Sequence, residues 1–345
     1  MKKTLKLALT ATVLAAAAAS AGAQEVTLKF HHIWTPNAMV PQKVIEPWCA
    51  KIAAESNNRM KCQLFPSMQL GGTPAQLIDQ VKDGVVDLTI TLPGYTAGRF
   101  PVMEVFELPF MTSSAEAGAK AAWDFYTKYG QKEFASVKPL FFSVHDEGYL
   151  HTRAKQVKTM EDLRGMKFRA PTRMTNKLLA SLGATPVAMP LPAVPEAVSK
   201  GVIDGFLLPW EVFPALKLHE MVKHHTLTPE GSQALYTSVF VMAMNPAKYN
   251  SLPADLKAVI DRNSGASLSA MAGRAWDESQ ETGRKAAEGR GNTFHTLPDT
   301  EIDRWKKASA GLYDEYVANM DKLGQPGKQM LQEARDLLVK HGTGK

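Results

Sequence analysis

Arg169 is the residue best placed to do chemistry. It ends a short strand-like run, Met166-Lys167-Phe168-Arg169, and is followed by Pro171 and an amphipathic helical pattern. A guanidinium keeps its charge at every accessible pH, and its planar fork matches a carboxylate. The same stretch ends in an apolar, aromatic run, Phe206-Leu207-Leu208-Pro209-Trp210. A fixed cation beside greasy walls calls for a small organic acid with an apolar body.

Other reactive-looking groupings lead nowhere. His219 and His224 frame an H-E-x-x-H-like segment, but they stand five apart. Chelation from one helix face needs a spacing of four, so a solvated helix end is the expectation and no metal is expected. Gly289-Arg290-Gly291 lacks the later glycine and the preceding strand of a dinucleotide loop. There is no G-x-S-x-G elbow and no P-loop. His31 and His32 are neighbours in a strand and face opposite sides, with His32 the candidate for the cleft. His145-Asp146-Glu147 is polar enough for acid–base work, yet it falls where the chain passes between its two halves, which favours a hinge hydrogen bond. No nucleophile–base pair stands out, so an enzyme acting on such acids is the weaker reading. No cofactor is expected.

The elements that must position Arg169 alternate strand and helix. Val26–His32 alternates as a strand, Val40–Ser56 has helical periodicity, and Arg59–Phe65 is the next strand. The helix Pro74–Lys82 stops at Gly84 before the strand Val86–Thr91. This order predicts an α/β fold with parallel-type sheets flanked by helices. A second unit begins near Asp146 and holds the Arg169 strand, the helix Met174–Leu182 and the strand Val202–Leu208. Leu235–Met244 is a strand-like run suited to return to the first unit, and from Pro253 the chain is mainly helical with one strand at Asn292–Leu297. The expected architecture is a two-lobed clamp with a multi-strand hinge and a helical C-terminal region. Residues 24–146 plus 234–275 form lobe I, and 147–233 plus 276–345 form lobe II, with the ligand in the cleft between.

The N-terminus predicts the compartment. Lys2, Lys3 and Lys6 precede an apolar stretch, Leu7–Ala19, and Ala21-Gly22-Ala23 supplies a cleavage site. Residues 1–23 therefore look like a signal peptide, cleaved after Ala23, for general secretory export to a bacterial periplasm. Without the leader lysines the formal charge falls from +6 to +3, and no basic block with interleaved aromatics appears, so no nucleic-acid partner is expected. Two cysteines, Cys49 in the first helix and Cys62 in the following strand, form either a disulfide pinning helix to sheet or two buried thiols.

Several motifs, in this order, resemble the DctP-type solute-binding proteins of TRAP transporters: Gln69-Leu70-Gly71-Gly72, Asp83-Gly84-Val85-Val86-Asp87-Leu88, Leu108-Pro109-Phe110, Leu163-Arg164-Gly165-Met166-Lys167-Phe168-Arg169 and Gly201-Val202-Ile203-Asp204-Gly205. The resemblance implies a periplasmic receptor that closes on an organic acid. It would deliver the acid to small and large integral-membrane permease subunits driven by an ion gradient rather than ATP. It also implies that Arg169 pairs with the ligand carboxylate, with Arg153 and Arg173 as helpers or surface groups and Lys167 exposed.

The chain departs from that pattern in one direction. Where the family commonly reads Gln-Glu-Asn-Pro, this chain reads Phe206-Leu207-Leu208-Pro209, so Leu208 replaces an asparagine that contacts polar ligands. Ile33, Pro74 and Leu92 stand where sugar-acid receptors carry polar groups, Tyr149 replaces a second arginine, and Leu191 replaces a frequent aromatic. Burying sugar hydroxyls against such walls would leave them unpaired, at about 1–3 kcal/mol each. Trp34, Tyr95, Tyr149, Trp210 and Phe213 are candidates for an aromatic lining. The ligand expected is a monocarboxylate with an apolar or aromatic tail, a 2-oxo or 2-hydroxy acid such as benzoylformate or mandelate, with Tyr149 or a backbone N–H on the 2-oxygen. A C4-dicarboxylate or small aliphatic 2-oxo acid is the alternative.

Overall fold

The computed structural model describes residues 25–342, so the leader and its cleavage site lie outside the described residues. Two mixed sheets flanked by helices organise the chain. The first has the order β2-β1-β3-β10-β4, with β1 Val26–His32, β2 Met60–Phe65, β3 Leu88–Thr91, β4 Lys138–Val144 and β10 Val239–Met244. The second has the order β11-β9-β5-β8-β6-β7, with β5 Tyr149–Thr152, β6 Lys167–Ala170, β7 Thr185–Ala188, β8 Gly205–Leu208, β9 His224–Leu227 and β11 Thr293–Thr296.

Each sheet is parallel except for one strand. β10 runs antiparallel to β3 and β4, and β5 runs antiparallel to β8 and β9. These two strands lie next to the crossings between sheets, at 145–148 and 228–238, so each enters its sheet from the cleft side. The carboxyl ends of β1, β3, β4, β6 and β8 and the start of β10 therefore converge between the sheets, where open α/β sheets place ligands.

Local sequence explains the elements that matter. In β1, Val26, Leu28 and Phe30 are buried while Thr27 and Lys29 face water, the period-two pattern of a strand with one covered face. The helix Arg173–Ser181, which follows Arg169, starts from Thr172, whose hydroxyl accepts from the Thr175 N–H. Gly205 opens β8 because a Cβ there would lie 2.5 Å from the His151 carbonyl oxygen. Cys49, on the helix Glu46–Glu55, is joined to Cys62 in β2 by a disulfide that resolves the alternative left by the sequence. Closing so short a loop contributes about 3 kcal/mol.

Three details differ from expectation. The first helical segment begins with a π-helical turn, Pro41–Ile45, before Glu46–Glu55. His219 sits on a short 3-10 turn and His224 opens β9, so they share no helix; Lys217, at φ 52°, ends the preceding helix, Phe213–Leu216. The C-terminal helix Gly327–Gly342 packs on the helix Ala115–Phe125 beside the first sheet, not with the second sheet as 276–345 was expected to. Its stripe of Met330, Leu331, Ala334, Leu337 and Leu338 joins a core containing Ala121, Ala122 and Phe125. His341 and Lys340 reach Asp124, and Lys128 reaches Glu333. An amphipathic pattern tells that a helix covers a core, but not which core. No helix among the described residues is long and apolar enough to cross a membrane.

Candidate functional site

Arg169 points into the convergence of strand ends and is 1% exposed. Its Nε donates to the Met189 carbonyl at 3.0 Å and its Nη1 to the Leu207 carbonyl at 2.9 Å. Tyr95 and Tyr236 are the groups whose charge bears on it, and no carboxylate pairs with it among the described residues. Burial lowers its proton affinity, but a guanidinium starts so high that the cation persists. Two of its five N–H groups are bound to the backbone and the Tyr95 hydroxyl is a further partner, which fixes the fork and leaves the rest for an anion.

The guanidinium lines a cleft between the sheets whose free space, part of it continuous with solvent, is about 340 Å³. Ile33, Trp34, Leu92 and Tyr95 come from the ends of β1 and β3, and His145 from the end of β4. Pro171, Leu191, Leu208, Pro209, Glu211 and Val212 come from the second half, and Tyr236, Ser238 and Phe240 from the approach to β10 and its start. The walls are mainly aliphatic and aromatic. Trp34 lies 5.9 Å from Phe240, which stacks on Trp276 at 4.8 Å. Among the described residues, Arg169 is the only cationic side chain of the lining.

The two halves meet around this cavity. The Leu191 N–H donates to the Tyr95 hydroxyl at 3.1 Å. Glu104, on the turn Met103–Glu107, takes a two-pronged ion pair from Arg173. Gly94 approaches so closely that a Cβ would lie 2.6 Å from the Thr172 methyl. Arg173 is thus committed to joining the halves, and Arg153 and Lys167 are exposed away from the cavity.

Burial sets the protonation of the polar lining. His145 is driven down to about 4 by desolvation and by the nearby Arg169 charge, against a backbone hydrogen bond to Asp146, so its ring is neutral. Desolvation pushes Glu211 up to about 8, leaving an uncharged carboxylic acid at neutral pH. Buried Asp146 beside it is also raised, first by burial and then by the Glu211 charge. Glu211 Oε2, Tyr236 Oη and Ser238 Oγ are buried without a hydrogen-bond partner.

Of the residues singled out in the sequence, Arg169, Trp34, Leu92, Tyr95, Leu191 and Leu208 line the cavity. Tyr149, Trp210 and His32 do not. The Tyr149 hydroxyl donates to Glu147 at 2.9 Å. Trp210 sits behind β8 among His151, Phe213 and His225, because the turn after Pro209 rotates it away. His32 packs between Phe30 and Trp34 and is held neutral, at about 4, by burial. Sequence reasoning missed Tyr236, Ser238 and Phe240. Their signal was the period-two spacing along Leu235–Met244, which puts all three on one side.

Residues 30–319 match the family model of the bacterial extracellular solute-binding proteins, family 7 (DctP). A TRAP solute-binding protein from Rhodoferax ferrireducens T118, in complex with copurified benzoate, is 47% identical, with 92% of this chain and 98% of that one covered and a TM-score of 0.90. A marine-metagenome TRAP solute-binding protein specific for aromatic acids, holding 3-hydroxybenzoate, is 44% identical, with 92% and 99% covered and a TM-score of 0.90. A TRAP periplasmic solute-binding protein from Bordetella bronchiseptica, with bound (R)- and (S)-mandelate, is 29% identical, with 91% and 99% covered and a TM-score of 0.86. The fold, the cleft and the family match together identify the chain as a member of the DctP family of TRAP-transporter solute-binding proteins.

Proposed function

We propose that this protein is the periplasmic receptor for an aromatic monocarboxylate, which it delivers to the small and large membrane subunits of a TRAP permease. The observation that carries this reading is Arg169: a buried cation without a carboxylate partner among the described residues, at the wall of a mainly apolar cavity. Leaving a charge buried and unpaired costs several kcal/mol, so the site gains most from a ligand that supplies the anion. The guanidinium fork holds the carboxylate, and Trp34, Leu92, Leu191, Leu208, Val212 and Phe240 enclose the ring. Closure follows because residues of both halves touch the same ligand.

Benzoate, its hydroxylated relatives, and 2-oxo or 2-hydroxy acids such as benzoylformate and mandelate all suit this geometry. The benzoate, 3-hydroxybenzoate and mandelate held by similar receptors support it. A dicarboxylate would bring a second anion to a lining with no second cation, beside acids that are already difficult to ionise. With Tyr149 outside the cavity, a 2-oxygen must find another partner.

A thermal-shift panel tests the reading. Ligand at 100 times its dissociation constant adds about 2.7 kcal/mol of stability. Aromatic acids raise the melting temperature and succinate and malate leave it unchanged; stabilisation by the dicarboxylates alone would overturn the proposal.

A further inference from the structure

Resting on the receptor reading above, we propose that Tyr236, Ser238 and Glu211 form a second, uncharged polar subsite in the cavity. It selects aromatic acids that carry one neutral oxygen, a hydroxyl or a carbonyl, in addition to the carboxylate. Tyr236 Oη, Ser238 Oγ and Glu211 Oε2 are three buried polar atoms without partners, and all three residues line one cavity with mainly apolar walls. Tyr236 is 1%, Ser238 0% and Glu211 7% exposed. Native proteins pair nearly all such atoms, because a buried polar atom left without a partner keeps its full desolvation penalty. Three orphans converging from two parts of the chain are best explained by a ligand that pairs them.

Their placement says where the oxygen must lie. Tyr236 and Arg169 influence each other's ionisation, so the phenol stands near the carboxylate end, and it also feels Glu211. Ser238 follows one pleat further along the same side, roughly 7 Å on in extended chain, and Phe240 another pleat beyond. The side of the cavity facing the ligand therefore passes from hydroxyl to hydroxyl to ring. Glu211 faces this track from the turn Trp210–Val212 that follows β8.

Their chemistry says what the group must be. A phenol, an alcohol and a protonated carboxyl each donate and accept one hydrogen bond, so they serve a ligand hydroxyl and a ligand carbonyl equally. A second anionic group would lack a counter-charge, because Arg169 is the only cation of the lining among the described residues. An ammonium would lack one too, because burial keeps the Glu211 carboxyl protonated near neutrality.

Calorimetric titration of the mature protein with benzoate, 3-hydroxybenzoate, the two mandelate enantiomers and benzoylformate tests this. The ring-hydroxyl and 2-oxygen arms separate the two sources of the extra oxygen. At least one oxygenated acid is expected to bind tenfold or more tightly than benzoate, since sites built to hydrogen-bond a group discriminate strongly against analogues lacking it. In Ser238→Ala and Tyr236→Phe the ratio of affinities, oxygenated acid over benzoate, falls at least fivefold, and melting curves of the variants confirm the fold. A ratio unchanged in both variants, or benzoate binding as tightly as every oxygenated relative, overturns the subsite and leaves the receptor reading standing. If no aromatic acid binds at all, the receptor reading itself fails and the subsite falls with it.

Discussion

Two aromatic clusters flank β8, and they are finished differently. Behind the strand, Trp210, Phe213, His151, His225 and Phe294 pack ring against ring, with centroids 4.6–5.0 Å apart for the closest pairs. The imidazole nitrogens of His151 and His225 are satisfied. His151 Nε2 reaches the Leu208 carbonyl at 2.9 Å, the two Nδ1 atoms of His151 and His225 meet at 2.8 Å, and Asn292 reaches His225 Nε2 at 3.0 Å. One arrangement closes the chain: Nε2–H of His151 donates to the carbonyl, His225 Nδ1–H donates to His151, and Asn292 donates to His225. In front of the strand, Trp34, Phe240, Tyr236 and His145 surround open volume, one unpaired cation and three orphan oxygens. The rear cluster is complete in itself, whereas the front one is left open in the way the proposed ligand site requires.

The contrast breaks most visibly at Trp210. Trp210→Ala should cost about 3–5 kcal/mol of stability, read as a lower denaturant midpoint, because it removes the centre of a filled cluster. The affinity of the folded fraction for benzoate should change much less. A variant that stays stable but no longer binds would put Trp210 back in the site.

Leu208 sharpens the comparison from the other face of the same strand. Leu208→Asn sets an amide against the ligand ring and should weaken benzoate binding by about 1–3 kcal/mol, roughly 5- to 150-fold, beyond the stability that burying the amide costs, which melting curves read separately. Equal or tighter benzoate binding in calorimetry would remove Leu208 from the ring contacts.

The buried acids and imidazoles also make opposite predictions for pH. Burial raises Glu211, Glu107 and Glu133 to about 8 and Glu147 to about 7, from ordinary values near 4.5. In the folded state they keep protons that the unfolded chain has released, so stability falls as pH rises towards 8. The histidines act in the opposite sense. His225 lies at about 3, His32 and His145 lie at about 4, and His151 is held well below its usual value, so their contribution is lost as pH falls below about 6.5. Between pH 6.5 and 8 the carboxyls outweigh the remainder of the histidine titration, and the melting temperature should decline. The slope is about 1.4 kcal/mol per pH unit for each proton fully retained. A melting temperature that rises over that window contradicts these assignments.

The sequence made some of this legible and hid the rest for identifiable reasons. The place of Arg169 in the cleft was readable because it is a cation at a strand end, before a proline and a helix, within a recognisable family pattern. Leu208 and Leu191 were readable as apolar replacements within a recognisable pattern. Trp210 misled because an unbroken apolar run carries no period, so nothing marked the rotation after Pro209. Tyr236, Ser238 and Phe240 were hidden inside a run that reads as any buried strand. Alternation groups them on one side, but only the second sheet, folded against them, makes that side a cavity. The last helix, Gly327–Gly342, was recognisable as amphipathic, while its partner near Ala115–Phe125 lies some two hundred residues away in the chain.

The most direct measurement is a calorimetric titration of benzoate into the wild-type protein and Arg169→Ala. Breaking a buried charge pair costs about 2–5 kcal/mol, so affinity should fall by roughly 30- to 5000-fold while the variant remains folded. Unchanged affinity in a folded Arg169→Ala protein would contradict the account at its centre.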